Sequence, residues 1–548
     1  MTTLITALIV FGALIYMRIH NHSHADYDED NPKGFDVRAF IFPIHYFIRS
    51  TIFTTFKSNG LAFFFVLFAG GYALLLDVPI WYMNRTAGKY FLIYLLISWV
   101  VCLLPQRTSL ASGELGKAHF VSETGLKKGN LINKDGIVFG KKGRQLVAKP
   151  NDLDGNVAIF GGAGTGKTAG NLIPTLLTYQ GNAFVVDIKP ELLAKTGHLH
   201  PNKKVLNFID PQLAYDPLAV IDSYTDVVDL AQTLIPISPD IKEPYFKESA
   251  QNIVASACWE FKDSKSFSEI AEWLTANKAD EIIEQLSASE KSETRILINA
   301  VAGIKSEQLA SLMNELRNTL VVFATDPVLR QLSGKGASIS PKDIEENWIY
   351  LVLPESKLQV YSRYLSLIVS QFTRYLTQRP EKAQPTVLMA LDEFPRLGFM
   401  PAFTDAISTL RSRNVSVMIL LQSLAQLDKI YQENGRKVIM DNMHYVVVHN
   451  ALDNTSQKYF SDRAGAKTAV IKGTTVGTGG SAGTIDALFG SHSTNYNQQS
   501  VPLIRPEEFA TLEKPILYAY KLGVARVDKA YWFNDSRMKS LVEQGGVR

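Results

Sequence analysis

Residues 156–177 read NVAIFGGAGTGKTAGNLIPTLL, and no other stretch of this 548-residue chain limits its fold so strongly. Asn156 to Phe160 is a short apolar run and reads as a buried strand. Gly161 to Thr168 fits G-x-x-x-x-G-K-[ST], and a helix is expected from about Thr168. Strand, glycine loop and helix in that order are the setting the motif needs. Glycines let the backbone come close to a phosphate, and successive N–H groups can then point at it. Gly161, Gly162, Ala163, Gly164, Thr165, Gly166, Lys167 and Thr168 are the expected nucleotide-binding loop. Lys167 is expected to reach the β/γ oxygens and the Thr168 hydroxyl to ligate Mg²⁺, which makes ATP and Mg²⁺ the expected cofactors.

A second strand, Ala183 to Val186, ends in Asp187. A third, in TVLMALDEF, ends in Asp392 and Glu393, the pattern of a Walker B strand emerging beside the loop in a parallel sheet. Asp392 is then expected to hold Mg²⁺ through water and Glu393 to polarise the attacking water. A plainer reading makes the pair a helix cap after a core strand. Two further strands, Val415 to Leu421 and Tyr445 to His449, complete the expected parallel α/β sheet. Gln422 follows the first of them, placed either to sense the γ-phosphate or to cap the next helix.

About 200 residues separate the second strand from Walker B, far more than one crossover needs. From Asp222 to Leu320 apolar residues recur at three and four, so an all-α insertion is expected there, dividing a nucleotide-binding domain into residues 105–221 and 321–548. The insertion holds 17 acids and 9 bases, a net −8, while the rest of the chain beyond residue 104 is about +10. That asymmetry steers nucleic acid to the motor and a basic or protein partner to the insertion. Gly473 to Gly490 is rich in Gly, Thr and Ser and reads as a mobile loop. Cys102 and Cys258 lie far apart, so neither a disulfide framework nor a thiolate metal site is implied.

Residues 1–104 read as membrane. Leu61 to Ile80 is 20 residues, enough to span, and 87–104 would complete a hairpin after a short link. Leu4 to Met17 is a possible additional span, with no basic n-region and no small-residue cleavage site to mark a signal peptide. Arg18, Lys33, Arg38, Arg49 and Lys57 between the first stretch and the hairpin outnumber Arg85 and Lys89 in the hairpin loop. The excess matches a motor on the cytoplasmic side.

Taken together, several segments resemble the TraG/VirD-type coupling proteins of type IV secretion and conjugation. They are the membrane hairpin, GKAHF at 116–120, the loop followed by NLIPTLL, VVDIKPELLAKT at 185–196, DEFPRLGFMPAFTDAISTLRSRN at 392–414, LLQSLAQLDKIY at 420–431 and VPLIRPEEF at 501–509. The resemblance covers roughly residues 60 to 540 and is most specific between Walker B and Gln422. It implies a RecA-like α/β domain with an inserted all-α domain, assembled as a homo-hexamer in the bacterial inner membrane. It implies ATP-driven transfer of a relaxase–DNA complex or protein substrate, with relaxosome proteins, DNA and secretion-channel components as partners. It also implies that Arg411 acts across the subunit interface as an arginine finger, with Arg413 the near rival and a surface arginine the plain alternative. The extra N-terminal stretch and the short hairpin loop depart from the family pattern. A receptor or gate ATPase for protein effectors, moving no DNA, is the alternative. A septal chromosome translocase fits less well, given the short linker and the large helical insertion.

Overall fold

The computed structural model describes residues 116–546, apart from 239–240, 242–243, 336–337 and 478–490. The expected membrane region, 1–104, lies outside the described residues. Among the described residues no helix is long and apolar enough to cross a membrane. The described residues divide into two units, one of 116–117 with 466–477 and 491–501, the other of 118–465 with 502–546.

In chain order, α1 (Glu123–Lys128) is capped by the Ser122 hydroxyl, which accepts from the Gly125 N–H. A hairpin of β1 (Ile137–Lys142) and β2 (Gln145–Lys149) precedes β3 (Asn156–Phe160). After the glycine loop come a π turn, Thr168–Leu172, and α2 (Ile173–Thr178). Next are β4 (Asn182–Asp187), α3 (Glu191–Thr196) and β5 (Lys203–Asn207). Seven α-helices then intervene: α4 (Tyr224–Leu234), α5 (Tyr245–Phe261), α6 (Phe267–Ala276), α7 (Ala279–Ser287), α8 (Ser292–Asn299), α9 (Ser306–Thr325) and α10 (Pro327–Leu332). The sheet resumes with β6 (Trp348–Val352), α11 (Leu358–Thr377), β7 (Val387–Leu391), α12 (Pro401–Leu410) and β8 (Val415–Leu421). It continues through α13 (Leu424–Asp441), β9 (Met443–Val448) and α14 (Asn454–Ala464). In the other unit, β10 (Ala466–Gly477) and β11 (Ser491–Pro502) form a two-stranded sheet. Gly473 to Gly477, expected in a mobile loop, are therefore the end of a strand, and the rest of that loop lies outside the described residues. β12 (Ile516–Ala519), β13 (Gly523–Arg526) and α15 (Ser536–Glu543) close the chain.

Nine strands form one sheet in the order β13-β12-β9-β3-β8-β7-β4-β6-β5. The seven from β9 to β5 run parallel, and β12 and β13 add an antiparallel edge. β3 and β7 are buried along their whole length, as strands covered on both faces must be. Alternation sends Ala158, Phe160, Met389 and Leu391 to one face, against α11 and the inserted helices. Val157, Ile159, Leu388 and Ala390 go to the other, against α2 and α15. Each large side chain buried in this way contributes about 1.5–3 kcal/mol relative to exposure.

The acid-tipped β7 reaches the loop across one intervening strand, because β8 runs between it and β3 and pairs with both. The chain order could not reveal this, since β8 is made after β7 and inserts next to a strand formed some 260 residues earlier.

The inserted helices extend the core on the α11 face of the sheet. Phe267 meets Phe323 edge to face at 5.0 Å, and Leu274, Leu312 and Leu316 are fully buried. Ser266 and Glu269 form a capping box on α6, with the Ser266 N–H donating to the Glu269 carboxylate at 2.7 Å. The insertion is tied to the sheet domain where Arg374 of α11 pairs with Asp226 and Asp229 of α4.

Candidate functional site

Parallel strands deliver their carboxyl ends to one edge of the sheet, and the register decides which residues meet there. Phe160 pairs with Leu421 and with Val448, Leu391 with Ile419, and Asp187 with Val352. One residue further, these strands release Gly161, Gln422, Asp392 and His449 at that edge, alongside Asp187. This is the edge where open α/β sheets place ligands.

The loop from Gly161 to Thr168 turns on Gly164 at φ 74° and Gly166 at φ 97°, conformations that favour glycine. Sterics add to this at Gly166, where a Cβ would stand 2.6 Å from Cε1 of Tyr531. Ala163 and Gly164 are exposed at the loop tip. The Gly162 N–H donates to Oδ1 of Asn450 at 2.8 Å, and the Thr165 hydroxyl donates to the Gly162 carbonyl at 2.9 Å. Thr168 opens the π turn, a distortion common at functional sites. The buried Lys167 ammonium donates to the carbonyls of Gly161 and Gly162. Burial pushes its pKa down, opposed by Glu393 and Asp392.

Asp392 is only 6% exposed, and its carboxyl is pushed up to about 7, first by burial and then by Glu393, with Lys167 pulling the other way. Glu393 sits in the left-handed region at φ 47°, ψ 43°, which costs a non-glycine residue on the order of 1 kcal/mol and turns the chain sharply off β7. Its Oε1 lies 3.5 Å from Nε2 of Gln422, while Oε2 is buried without a hydrogen-bond partner. Asp187 is raised by burial. It accepts from the Leu193 N–H at 2.9 Å and leaves its other oxygen unpartnered. Asp392 and Glu393 thus face one buried ammonium, with Asp187 close enough to raise Asp392. Among the described residues no cluster of His, Cys, Asp or Glu forms a cage for a metal on its own. That donor set fits Mg²⁺, which takes one or two carboxylates and completes its shell with phosphates and water.

Sequence reasoning missed His449, Asn450 and Asn171. The Asn171 amide donates to the carbonyls of Val138 and Phe139, so its oxygen accepts from Nε2 of His449 at 2.6 Å. Burial pushes the His449 imidazole down to about 3, leaving it neutral. These side chains brace the loop between β1 and β9. The signal available was the pair His449–Asn450 directly after an apolar run, the same strand-tip pattern as Asp392–Glu393.

Arg411 lies elsewhere. Its guanidinium donates to Nε2 of His444 at 2.9 Å, whose Nδ1–H is directed at the Asn442 carbonyl, and it stands 3.9 Å from Asp154. Asp154 precedes β3, Arg411 precedes β8 and His444 is at the start of β9, so Arg411 occupies the amino edge of the sheet. Nε of Arg413 is buried without a partner, and the Arg413 carbonyl accepts from Arg379.

A parallel sheet with a glycine loop on β3, an acid pair two strands away on β7 and a polar residue on the strand between defines a RecA-like P-loop domain. The comparisons narrow the class further. A family model described as type IV secretory system conjugative DNA transfer matches residues 109–545, and the chain belongs to that family. The chain is 23% identical over 466 residues to VirD4 of Rhizobium rhizogenes, covering 79% of this chain and 66% of that one. It is 24% identical over 403 residues to VirD4 of Agrobacterium fabrum, covering 69% and 58%. A TraG of Escherichia coli is 23% identical over 458 residues, covering 75% and 69%. The chain thus spans less than two thirds of the length of these VirD4 proteins. The plasmid coupling protein TrwB, solved with ADP and Mg²⁺, superposes with a TM-score of 0.60 at 17% identity, covering 76% of this chain and 94% of that one. Another TrwB structure, with a non-hydrolysable ATP analogue, gives the same TM-score of 0.60 over 76% of this chain and 93% of its own.

Proposed function

We propose that this chain is the coupling ATPase of a type IV secretion system, hydrolysing ATP to drive a relaxase–DNA substrate into the channel. The convergence of the Gly161–Thr168 loop, Asp392, Glu393 and Gln422 at one sheet edge, in a chain of this family, carries the reading. Mg²⁺, when bound, would supply positive charge against that developing on the β/γ oxygens. Lys167 turns from the loop carbonyls to those same oxygens, and the loop amides hold the phosphates in line. Asp392 and the Thr168 hydroxyl hold the metal. Glu393, oriented by Gln422, takes the proton side of the attacking water through its unpartnered oxygen. Burial of Lys167, Asp392 and Asp187 keeps bulk water from screening these charges. The motor's excess of about +10 suits DNA, and the insertion's −8 suits a basic protein partner. The membrane tether at residues 1–104, a cytoplasmic motor at the inner membrane and a homo-hexameric ring belong to the same proposal.

The test is ATP hydrolysis by the purified full-length chain with and without single- and double-stranded DNA. DNA should stimulate hydrolysis, and Lys167→Ala should abolish it. Wild-type turnover in Lys167→Ala would remove the site assignment. Hydrolysis indifferent to both DNA forms would favour a receptor or gate for protein effectors.

A further inference from the structure

The glycine loop accounts for the phosphates of a nucleotide and leaves its base without a partner. With phosphates on the loop amides, the ribose and base of a nucleotide would extend outward near the first turn of the following helix, at Ala169 and Gly170. Tyr531 covers that turn. Its Cδ1 lies 3.7 Å from where a Cβ of Gly170 would stand, and its Cε1 2.6 Å from that of Gly166. Phe533 stacks on Tyr531 with ring centroids 5.0 Å apart and planes 14° from parallel. Phe533 is nevertheless 46% exposed, among the few large apolar side chains left open to solvent in the described residues.

The segment that holds these rings is anchored at both ends. Ala530, on one side, is fully buried. Asp535, on the other, caps α15 and pairs with Lys141 at 2.7 Å. Trp532, between them in sequence, packs on the core with the Lys195 ammonium 5.7 Å over its ring, and meets Phe533 edge to face at 5.6 Å. The ammonium of Lys529 stands 6.0 Å from the Tyr531 centroid. An exposed ring fixed on an anchored turn, beside a phosphate loop, has the chemistry of a stacking surface and no role in the core.

We propose that Phe533, backed by the Tyr531 ring stacked beneath it, forms the nucleobase platform of this site, with the base of a nucleoside triphosphate stacked on the exposed face of Phe533. The proposal rests on reading Gly161–Thr168 as the nucleotide site. Stacking reads a π-face and not a hydrogen-bonding edge, so the platform holds the base in place without selecting it strongly.

Two probes separate base from phosphate: Mg-ATP, and Mg-tripolyphosphate, which carries the phosphate chain alone. Binding of each is measured on the full-length chain. Phe533→Ala, a surface change, should weaken Mg-ATP about tenfold and leave tripolyphosphate unchanged. Phe533→Tyr should restore Mg-ATP binding, and Tyr531→Leu should repeat the pattern of Phe533→Ala. Undiminished Mg-ATP affinity in Phe533→Ala, or equal losses for both probes, would overturn the platform. Lys167→Ala should lose both probes. If it kept tripolyphosphate, the loop assignment itself would fall, and the platform with it.

Discussion

Asp392 and Glu393 are neighbours in sequence, yet the fold gives them different surroundings, and that difference separates their expected roles. Asp392 continues β7 into the interior beside Lys167, while the left-handed turn at Glu393 swings its carboxylate towards Gln422. Glu393→Gln should keep ATP bound but lower turnover by roughly 10²–10⁴-fold, since an amide cannot take a proton from water. Asp392→Asn should instead weaken Mg²⁺-dependent binding, read by titrating ATP with and without the metal. Equal affinity and equal turnover in the two variants would defeat the division. The loop and the acid pair were legible in the sequence because their spacing is itself the chemistry. Asn171, His449 and Asn450 were not, because isolated residues of common polar types have no signature until the strands bring them together. Asp216 was equally invisible. Only 5% exposed, it caps the turn Pro217–Val220, and burial raises its carboxyl to about 6 despite the N–H groups of Leu218 and Phe267. An acid whose folded pKa lies above its unfolded value, about 3.9, holds an extra proton in the native state between those two pH values. Its contribution to stability is fully present below pH 4 and is lost as pH rises through about 6. Asp216→Asn keeps the capping oxygen and removes the titration. Its thermal midpoint should match wild type near pH 4 and exceed it by a few degrees at pH 7, reflecting at most about 3 kcal/mol. A constant difference across that range would show that Asp216 does not titrate in this way.

Among the elements, most of the apolar strands were readable: β3, β4, β7, β8 and β9 lie where NVAIF, AFVV, VLMAL, VSVMILL and Tyr445 to His449 suggest, β9 running from Met443 to Val448, whereas β6 was missed although WIYLV is equally apolar. β5 was passed over because KKVLN sits at the sheet edge and is only partly buried, so half of it stays polar. β12 and β13 were hidden because a two-strand antiparallel extension of four residues each leaves almost no periodic signal. The helices between β5 and β6 were readable by their three-and-four pattern, and the structure refines what their charge can do. Glu269 is engaged in the α6 capping box, Glu272 pairs with Arg330 at 3.0 Å, and Glu281 accepts from the Lys278 N–H at 3.2 Å. Asp280 and Glu284 are exposed on α7, and they stand at i and i+4, on one face. Among the described residues neither makes a salt bridge, so of these five acids Asp280 and Glu284 are the pair left open to a basic partner. Asp280→Lys with Glu284→Lys in the full chain should weaken capture of relaxase-complex proteins about tenfold or more at low salt, with ATP hydrolysis unchanged. Tighter DNA binding without any loss of protein capture would move the docking site elsewhere.

At the scale of the whole molecule, the sheet itself separates Arg411 from the loop in its own chain. β3 runs five residues from the edge carrying Asp154 and Arg411 to the edge carrying Gly161, a span of about 16 Å. With its guanidinium held by His444 and directed at Asp154, Arg411 cannot reach a phosphate on its own Lys167. If it contributes to hydrolysis, it does so at the site of a neighbouring subunit, and the catalytic unit is then a ring and not a chain. Subunit mixing tests this directly. Arg411→Ala retains its loop and Lys167→Ala retains its finger, so each homogeneous assembly should be inactive. Co-assembled in equal amounts, they should regain hydrolysis at up to about a quarter of the sites, wherever an intact loop faces an intact arginine across an interface. The double variant carrying both changes in one chain, mixed with wild type, supplies the control for dilution. Recovery with Arg413→Ala in place of Arg411→Ala would transfer the role to Arg413. Full activity in Arg411→Ala alone would return this residue to an ordinary surface pair with His444 and Asp154.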